Sequence, residues 1–382
     1  MSQRSTIVFK KFFESEKSGG IVLIFFTLLS LLIANSSLTN SYSQFWKYEL
    51  GGMSIEHWIN DGLMAIFFLL VGLELKREFV VGELSSLKKA SLPVISALGG
   101  IFIPAGIYSY LNWGSPTISG YGIPMATDIA FALGALSLLG NKVPVSLKVF
   151  LTALAVIDDL GAIIVIAIFY TKTIYWSYLF ISLGIFVFLI FCNKIGIKSL
   201  WIYLLSGIGM WYFMHHSGIH ATITGVLLAL SIPTESKTKK ESPAEFLQHK
   251  LHYPVPFIIM PLFALVNTAI SINDDWDKSL FDSASLGIIL GLVLGKPFGI
   301  FLFTRLSILL KAAEKPKGTT WSQLFGVAIL GGIGFTMSIF ITLLAFDDVE
   351  HINEAKIAIL IASIIAGFLG IVWLKASFKK AK

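Results

Sequence analysis

Two adjacent acidic residues, Asp158 and Asp159, lie in the middle of an apolar segment that runs roughly from residue 149 to residue 168. A segment of this length is about long enough to cross a bilayer. A carboxylate at membrane depth costs about 2.5–3.5 kcal/mol on insertion scales, so an ionisable pair held there indicates a functional site. Neighbouring residues of a helix point about 100° apart, which predicts that the two carboxylates have different roles.

Two further polar positions interrupt apolar segments. Asp128 follows Thr127, and Lys296 lies near the middle of a segment that has no other charge. Carboxylate and hydroxyl oxygens suit a hard cation, which favours sodium at Asp158 and Asp159 over zinc or iron. A buried lysine pairs with a carboxylate or gives up its proton, and we expect Asp158 to be its partner. Asp128 is expected to balance helix dipoles rather than bind the ion directly.

The composition places these residues in a polytopic membrane protein. The 382 residues are 55% hydrophobic and 14% charged, where soluble domains have roughly 25% charged residues. We predict an all-α fold with twelve transmembrane helices in a single domain, and no cofactor. The twelve apolar segments, numbered as spans 1 to 12, are 12–34, 58–79, 92–111, 121–140, 146–170, 175–192, 199–214, 218–232, 254–271, 284–310, 321–345 and 353–375.

The basic residues give an orientation. With alternating spans and an inside N-terminus, 24 of the 29 Lys and Arg residues fall in inside segments and 4 in outside segments, with Lys296 left over. Such a bias predicts both termini in the cytoplasm. The formal net charge of +6 is therefore assigned to membrane orientation and not to nucleic acid binding.

Spans 4 and 11 contain residues that break helices. Span 4 holds Pro124 and Ala126 beside Thr127, and span 11 holds three glycines in four residues, including Gly332 and Gly334. Irregular backbone at membrane depth must be covered by protein or line a water-filled cavity. The two breaks occupy the middle of spans 3–4–5 and 10–11–12, which predicts inverted repeats at about 92–170 and 284–375 with a site between them. Gly51 and Gly52 can form the two-residue turn of a hairpin or lie in a plain flexible loop, and an outside hairpin is expected at about 45–55.

The motifs together resemble the NhaA sodium/proton antiporters of bacteria, in family order over nearly the whole chain. The resemblance implies an inner-membrane protein that exports sodium or lithium and imports protons, electrogenically and with activation at alkaline pH. It implies an ion site at Asp158 and Asp159, completed by Asp128, Thr127 and Lys296, and a homodimer formed through the hairpin. The resembling stretches are 67–78, 126–134, 157–163, 295–297 and 332–340.

The resemblance also suggests residues that respond to pH. On residue types alone, Glu74 and Glu78 are simply the solvated end of span 2, four residues apart and able to pair with Lys76 or Arg77. The family places acids and histidines at the inside funnel, and Gln248 stands where a glutamate can occur in it. The candidates are Glu74, Glu78, His220, His249 and His252.

Three other interpretations each fit part of the sequence. An intramembrane aspartyl protease would use Asp128 and Asp159 as a dyad, but the Gly-x-Gly-Asp motif is missing. A proton-coupled symporter for an organic solute would need more polar or aromatic residues at the broken spans. A metal site at His215, His216 and His220 conflicts with Gly218, which argues against one rigid helix there.

Overall fold

The fold was analysed in a computed structural model, which describes residues 16–82, 84–171, 173–235, 241–272 and 276–380. The predicted start of span 1, at residues 12–15, lies outside the described residues, as do both ends of the chain. The described residues are predominantly helical, with one short hairpin. The fold is that of a helical membrane protein, as the composition predicts.

Each predicted span coincides with at least one helix, and the span numbers are kept below. By length and hydropathy, seven helices of the described residues can each cross a membrane, or up to nine if each of two bent pairs is one span. Span 4 is irregular, span 7 has 17 residues and span 8 has 9, so the count of twelve stays a prediction. The helices are Glu16–Ala34, Thr39–Lys47, Ile55–Val80, Leu87–Leu111, Ile129–Ser137, Val145–Phe169, Trp176–Lys194, Leu200–His216, Ile223–Ser231, Pro243–Asn267, Trp276–Ser279, Ser283–Leu309, Trp321–Gly331, Phe335–Ala345 and Val349–Lys380, with 3-10 segments at Pro116–Met125 and Gly140–Lys142.

The predicted hairpin is present between the first two spans. Strands β1 (Glu49–Leu50) and β2 (Met53–Ser54) are antiparallel, with Leu50 opposite Met53. Gly51 and Gly52 have φ angles of 63° and 88°. A two-residue turn with positive φ at both positions matches the twist of the strands, and glycine adopts it without steric cost. The side chain of Trp58 ties the hairpin to span 2 by donating to the Leu50 carbonyl at 2.8 Å.

Spans 4 and 11 are both broken, as predicted. In span 4 the 3-10 helix ends at Met125, residues 126–128 are not helical, and the α-helix begins at Ile129. In span 11 the two helices are bent by 44° on either side of residues 332–334. The breaks meet, because the Asp128 amide donates to the Ile333 carbonyl at 2.7 Å.

Spans 3 and 10 pack with their backbones in close contact. A Cβ atom added to Gly99 would lie 2.2 Å from the Gly299 carbonyl oxygen, and one added to Gly299 would lie 2.1 Å from that of Gly99. The Ser96 and Thr304 hydroxyls share a hydrogen bond of 2.6 Å. Small residues at helix contacts in membranes allow this approach, and it sets the position of Lys296, one turn from the contact on span 10.

Candidate ion-binding site

Span 5 places the two aspartates in the protein interior. Asp158 and Asp159 lie on the continuous helix Val145–Phe169, and each is only 1% exposed. Lys296 of span 10 is completely buried, and its Nζ lies 3.0 Å from Asp158 Oδ2. The predicted pairing of Lys296 with Asp158 is therefore confirmed. Charges removed from water need a partner and further hydrogen bonds, and both are found here.

Span 4 supplies those further hydrogen bonds. Thr127 Oγ1 is 2.8 Å from Asp158 Oδ2 and 2.9 Å from the Gly331 carbonyl oxygen. The Lys296 ammonium also donates to the carbonyl of Met125, immediately before the break. The unwound backbone thus offers carbonyl groups that a continuous helix would have used for its own hydrogen bonds.

Asp128 lies between the two helices that start after the breaks. Its Oδ1 accepts from the Phe131 amide at 3.0 Å and so caps the second half of span 4. Its Oδ2 accepts from Thr336 twice, from the amide at 3.2 Å and from the hydroxyl at 2.5 Å. A carboxylate at a helix N-terminus offsets the positive end of the helix dipole. One side chain therefore serves two half-helices.

The glycines of the break are required by packing. Gly332 and Gly334 have negative φ angles of −74° and −89°, so no unusual backbone conformation demands them. A Cβ atom on Gly332 would lie 2.3 Å from the Leu292 carbonyl oxygen, and one on Gly334 would lie 2.1 Å from Ser338 Oγ. Ala126 has the extended conformation, with ψ of 151°. Weak helix propensity is thus one reason for these glycines, and close packing, against span 10 at Gly332 and against Ser338 of the same span at Gly334, is a second.

Asp159 has different surroundings from Asp158. Asp158 Oδ1 and Asp159 Oδ1 are both buried with no hydrogen-bond partner among the described residues. Asp159 interacts electrostatically with Asp158, Asp128, Lys296 and Glu74. Unpaired carboxylate oxygens in an interior are costly unless a proton or a cation is bound to them. The donor set, made only of oxygen atoms, fits a hard cation such as sodium.

A cavity of about 240 Å³ approaches this site along spans 2 and 5. Val156 lines it one turn before Asp159, and Glu74 lines it from span 2. Arg77, Glu78 and His252 also line it, and the Arg77 guanidinium donates to Glu78 at 2.9 Å. The remaining lining side chains are mostly apolar, from spans 1, 2, 4, 5 and 9. The cavity therefore ends beside the turn of span 5 that precedes Asp159, and neither aspartate is among its lining residues.

The cavity brings together only some of the candidate pH-response residues. Glu74, Glu78 and His252 line it. The exposed His249 instead contacts Glu241, and His220 lies in span 8 before the start of its helix, whose other end is contacted by Lys76. His249 and His220 are therefore not part of the cavity wall.

Several polar groups at the site were not identified as site residues from the sequence. Thr336, the partner of Asp128, stands two residues after Gly334, and Ser363 of span 12 accepts from the Phe335 amide at 3.1 Å. Ser338 donates to the Ile123 carbonyl at 2.7 Å. The signal available was the pair of hydroxyl residues two and four positions after Gly334, which are polar residues near a break as Thr127 and Asp128 are in span 4.

Comparison with known proteins gives the family. Residues 10–374 match the family described as Na+/H+ antiporter 1. The chain belongs to this family. It is 58% identical over 374 residues to a protein of Flavobacterium psychrophilum named Na+/H+ antiporter NhaA, covering 98% of this chain and 97% of that one.

Relatives from other bacteria agree. A protein of the same name from Cytophaga hutchinsonii is 58% identical over 375 residues, covering 98% of this chain and 97% of its own. Another from Dechloromonas aromatica is 56% identical over 369 residues, covering 96% and 95%. The family consists of transporters, not enzymes, so the protease alternative is wrong.

Proposed function

We propose that this protein exchanges sodium or lithium for protons across the bacterial inner membrane by alternating access. The observation that carries the proposal is the buried pair Asp158 and Asp159, each with an unpaired oxygen, beside the buried ammonium of Lys296. Family membership favours antiport over symport of an organic solute. Sodium is the substrate here.

Exchange follows from competition at the carboxylates. Asp159 binds the cation, and Asp158 is held by Lys296 and Thr127 until the ion arrives. A cation that takes over the Asp158 carboxylate frees Lys296 to release a proton, and protons on Asp159 leave as the ion binds. Interacting groups titrate as a unit, so the protons belong to the assembly of Asp158, Asp159 and Lys296. Three titratable groups at one cation site support electrogenic exchange.

Asp128 stabilises the contact between the breaks of spans 4 and 11. Its contacts with Phe131 and Thr336 support a dipole-balancing role at both breaks. The reciprocal contact of Gly99 and Gly299 and the matching breaks of spans 4 and 11 support inverted repeats at about 92–170 and 284–375 within one domain of 382 residues. Movement of these repeats against spans 2 and 8 would expose the loaded site to each side in turn.

The cavity faces the cytoplasm in this assignment. It opens near Arg77 and Glu78, at the end of span 2 that carries the basic residues of the first inside loop. This orientation puts both termini in the cytoplasm and the hairpin outside. Glu74, Glu78 and His252 are the pH-response residues that the cavity supports best. His249 and His220 would act from outside the cavity, and Gln248 leaves one family position without an acid.

The hairpin supports a homodimer. Tyr48, just before β1, and Leu50, in β1, are 65% and 62% exposed, and the sheet has only two strands among the described residues. Exposed strand edges with apolar side chains readily pair with a second chain. We expect two chains per particle by light scattering in detergent, and a single chain when residues 45–55 are replaced by a short polar linker. A particle that stays dimeric without the hairpin would place the interface elsewhere.

The transport assignment is tested with Asp159→Asn. Neutralising this carboxylate removes both the cation ligand and an exchangeable proton, so sodium-driven collapse of the pH gradient in everted vesicles should be abolished. The matched control is Asp277→Asn, at an exposed acid of a short helix remote from the site, which should keep wild-type rates. Lithium and potassium are compared with sodium. Full activity of Asp159→Asn would overturn the assignment.

A further inference from the structure

A second cluster of ligand-type side chains lies at the other end of span 2, away from the cavity. His57, Asp61 and His215 place one ligand atom each within 4.8 Å of one another. His57 and Asp61 belong to the first turns of span 2, and His215 to the last turn of span 7. We propose that these three residues bind a divalent transition-metal ion of the Zn2+ class.

The separations of the ligand atoms are those of groups that share one ion. Asp61 Oδ2 lies 3.3 Å from His57 Nε2 and 3.1 Å from His215 Nδ1. Zinc binds imidazole nitrogen and carboxylate oxygen at about 2.0–2.2 Å with tetrahedral angles, which puts neighbouring ligand atoms about 3.4 Å apart. Two His and one carboxylate with a fourth position for water is a known zinc donor set.

The helix is locally deformed at this position. Residues Trp58–Leu63 form a π-helical segment, a wider turn that contains Asp61. Single π-turns within α-helices occur frequently at functional sites. His57 and Asp61 are four residues apart, so they point to the same side of span 2 and meet His215 from span 7 there.

Aromatic side chains hold the ligands in place. The Trp211 ring stacks on the His215 ring, with centroids 5.7 Å apart. It also stacks on the Trp58 ring, again with centroids 5.7 Å apart. The side chains of His57, Asp61 and His215 are 47%, 17% and 23% exposed. The ligands are thus oriented by their neighbours and yet reachable from water, which leaves an entry path and an open coordination position.

The histidines nearby in sequence do not take part. His216 Nδ1 is bonded to the Tyr212 carbonyl oxygen at 2.9 Å, and its ring packs on Tyr212 with centroids 4.4 Å apart. The pairing of His215 therefore runs across to span 2 and not along its own helix. A bound ion would connect the start of span 2 to the end of span 7, at the end of span 2 that lies away from the cavity.

The proposal is tested by zinc binding to the full chain in detergent, after removal of metal with a chelator. Titration calorimetry should find one Zn2+ per chain, and Co2+ in its place should give the visible absorption of a tetrahedral site. Loss of an outer-shell partner costs about 10–100-fold in metal affinity, so His57→Gln and His215→Gln should each cost at least about 100-fold. The matched control, His216→Gln, should keep wild-type affinity.

An Asp61→Asn variant should also bind Zn2+ weakly, because the carboxylate that contacts both histidines is removed. Size-exclusion elution shows whether each variant is folded, and only folded variants are compared. A wild-type protein that binds no more Zn2+ than the variant with all three substitutions would overturn the proposal. The cluster would then be a hydrogen-bonded His–Asp–His group only. An equal loss in His216→Gln would overturn it as well.

Discussion

Charged side chains have different surroundings at the crossing of the broken spans 4 and 11 and at the wall of the cavity. At the crossing, Asp158, Lys296 and Asp128 are buried, and each has specific protein partners. At the wall, Arg77 pairs with Glu78 within the same turn of span 2, and the two side chains are 47% and 11% exposed, so only one partner is in extensive contact with water. Buried charges without partners cost several kcal/mol, whereas exposed pairs contribute about 0–1 kcal/mol. The contacts at the crossing therefore fix the positions of the charged side chains, and the charges at the wall contribute to the electrostatic potential near the site.

This difference also explains the inequality of the two adjacent aspartates. Asp158 faces the crossing and has Lys296 and Thr127 as partners. Asp159 follows it by one residue and interacts electrostatically with Glu74 of the wall, while Oδ1 is unpaired in both aspartates. The pair thus lies between the hydrogen-bonded crossing of the broken spans and the wall of the cavity. Three predictions test this division, in order of decreasing effect.

The largest effect is expected from breaking the buried ion pair. Asp158→Asn and Lys296→Met should each lower the free energy of unfolding by about 3–5 kcal/mol, because each leaves one uncompensated buried charge. The double variant should recover most of this loss, since neither member of the ion pair is then left without the other. Unfolding by SDS titration measures both. Lys47→Met, at an exposed lysine, is the control and should change little. Additive losses in the double variant would contradict the coupling.

A smaller effect is expected where spans 3 and 10 touch. Gly99→Ala would place a Cβ atom 2.2 Å from the Gly299 carbonyl oxygen, so the two helices must separate. Overpacking of this kind costs typically about 1–3 kcal/mol. Gly106→Ala is the matched control on the same helix, because its Cβ would meet no atom within 4 Å. Equal stabilities of the two variants would show that the close contact does not matter.

The smallest effect is expected at the cavity wall. Glu74→Gln removes a negative charge that acts on Asp159, with little change in packing. A loss of about 1 kcal/mol of attraction for the cation corresponds to about a fivefold higher apparent KM for sodium, with the maximal rate retained. The control is Glu49→Gln in the hairpin. Sodium titrations at several pH values measure KM and also show whether Glu74 influences the pH profile. An unchanged KM would remove Glu74 from the ion path.

Much of this arrangement is predictable from the sequence. Ionisable residues within apolar segments are so costly that Asp128, Asp158, Asp159 and Lys296 stand out without any structure. The positions of the breaks in spans 4 and 11 follow from Pro124 and the glycines of span 11, and Gly51 and Gly52 predict the hairpin. Local chemistry decides these features, because helix breaking, turn formation and the cost of buried charge depend on residues near in sequence.

Contacts between distant segments were decided only by the tertiary structure. The partnership of Asp128 with Thr336 joins residues 208 positions apart, and the reciprocal fit of Gly99 and Gly299 depends on how two helices cross. In the sequence, the histidines near His215 are His216 and His220, whereas the structure places His215 against His57 and Asp61 of another span. Residue types thus determined which side chains need partners, and packing decided which partners they have, because side chains meet where helices cross and not where residues are neighbours in sequence.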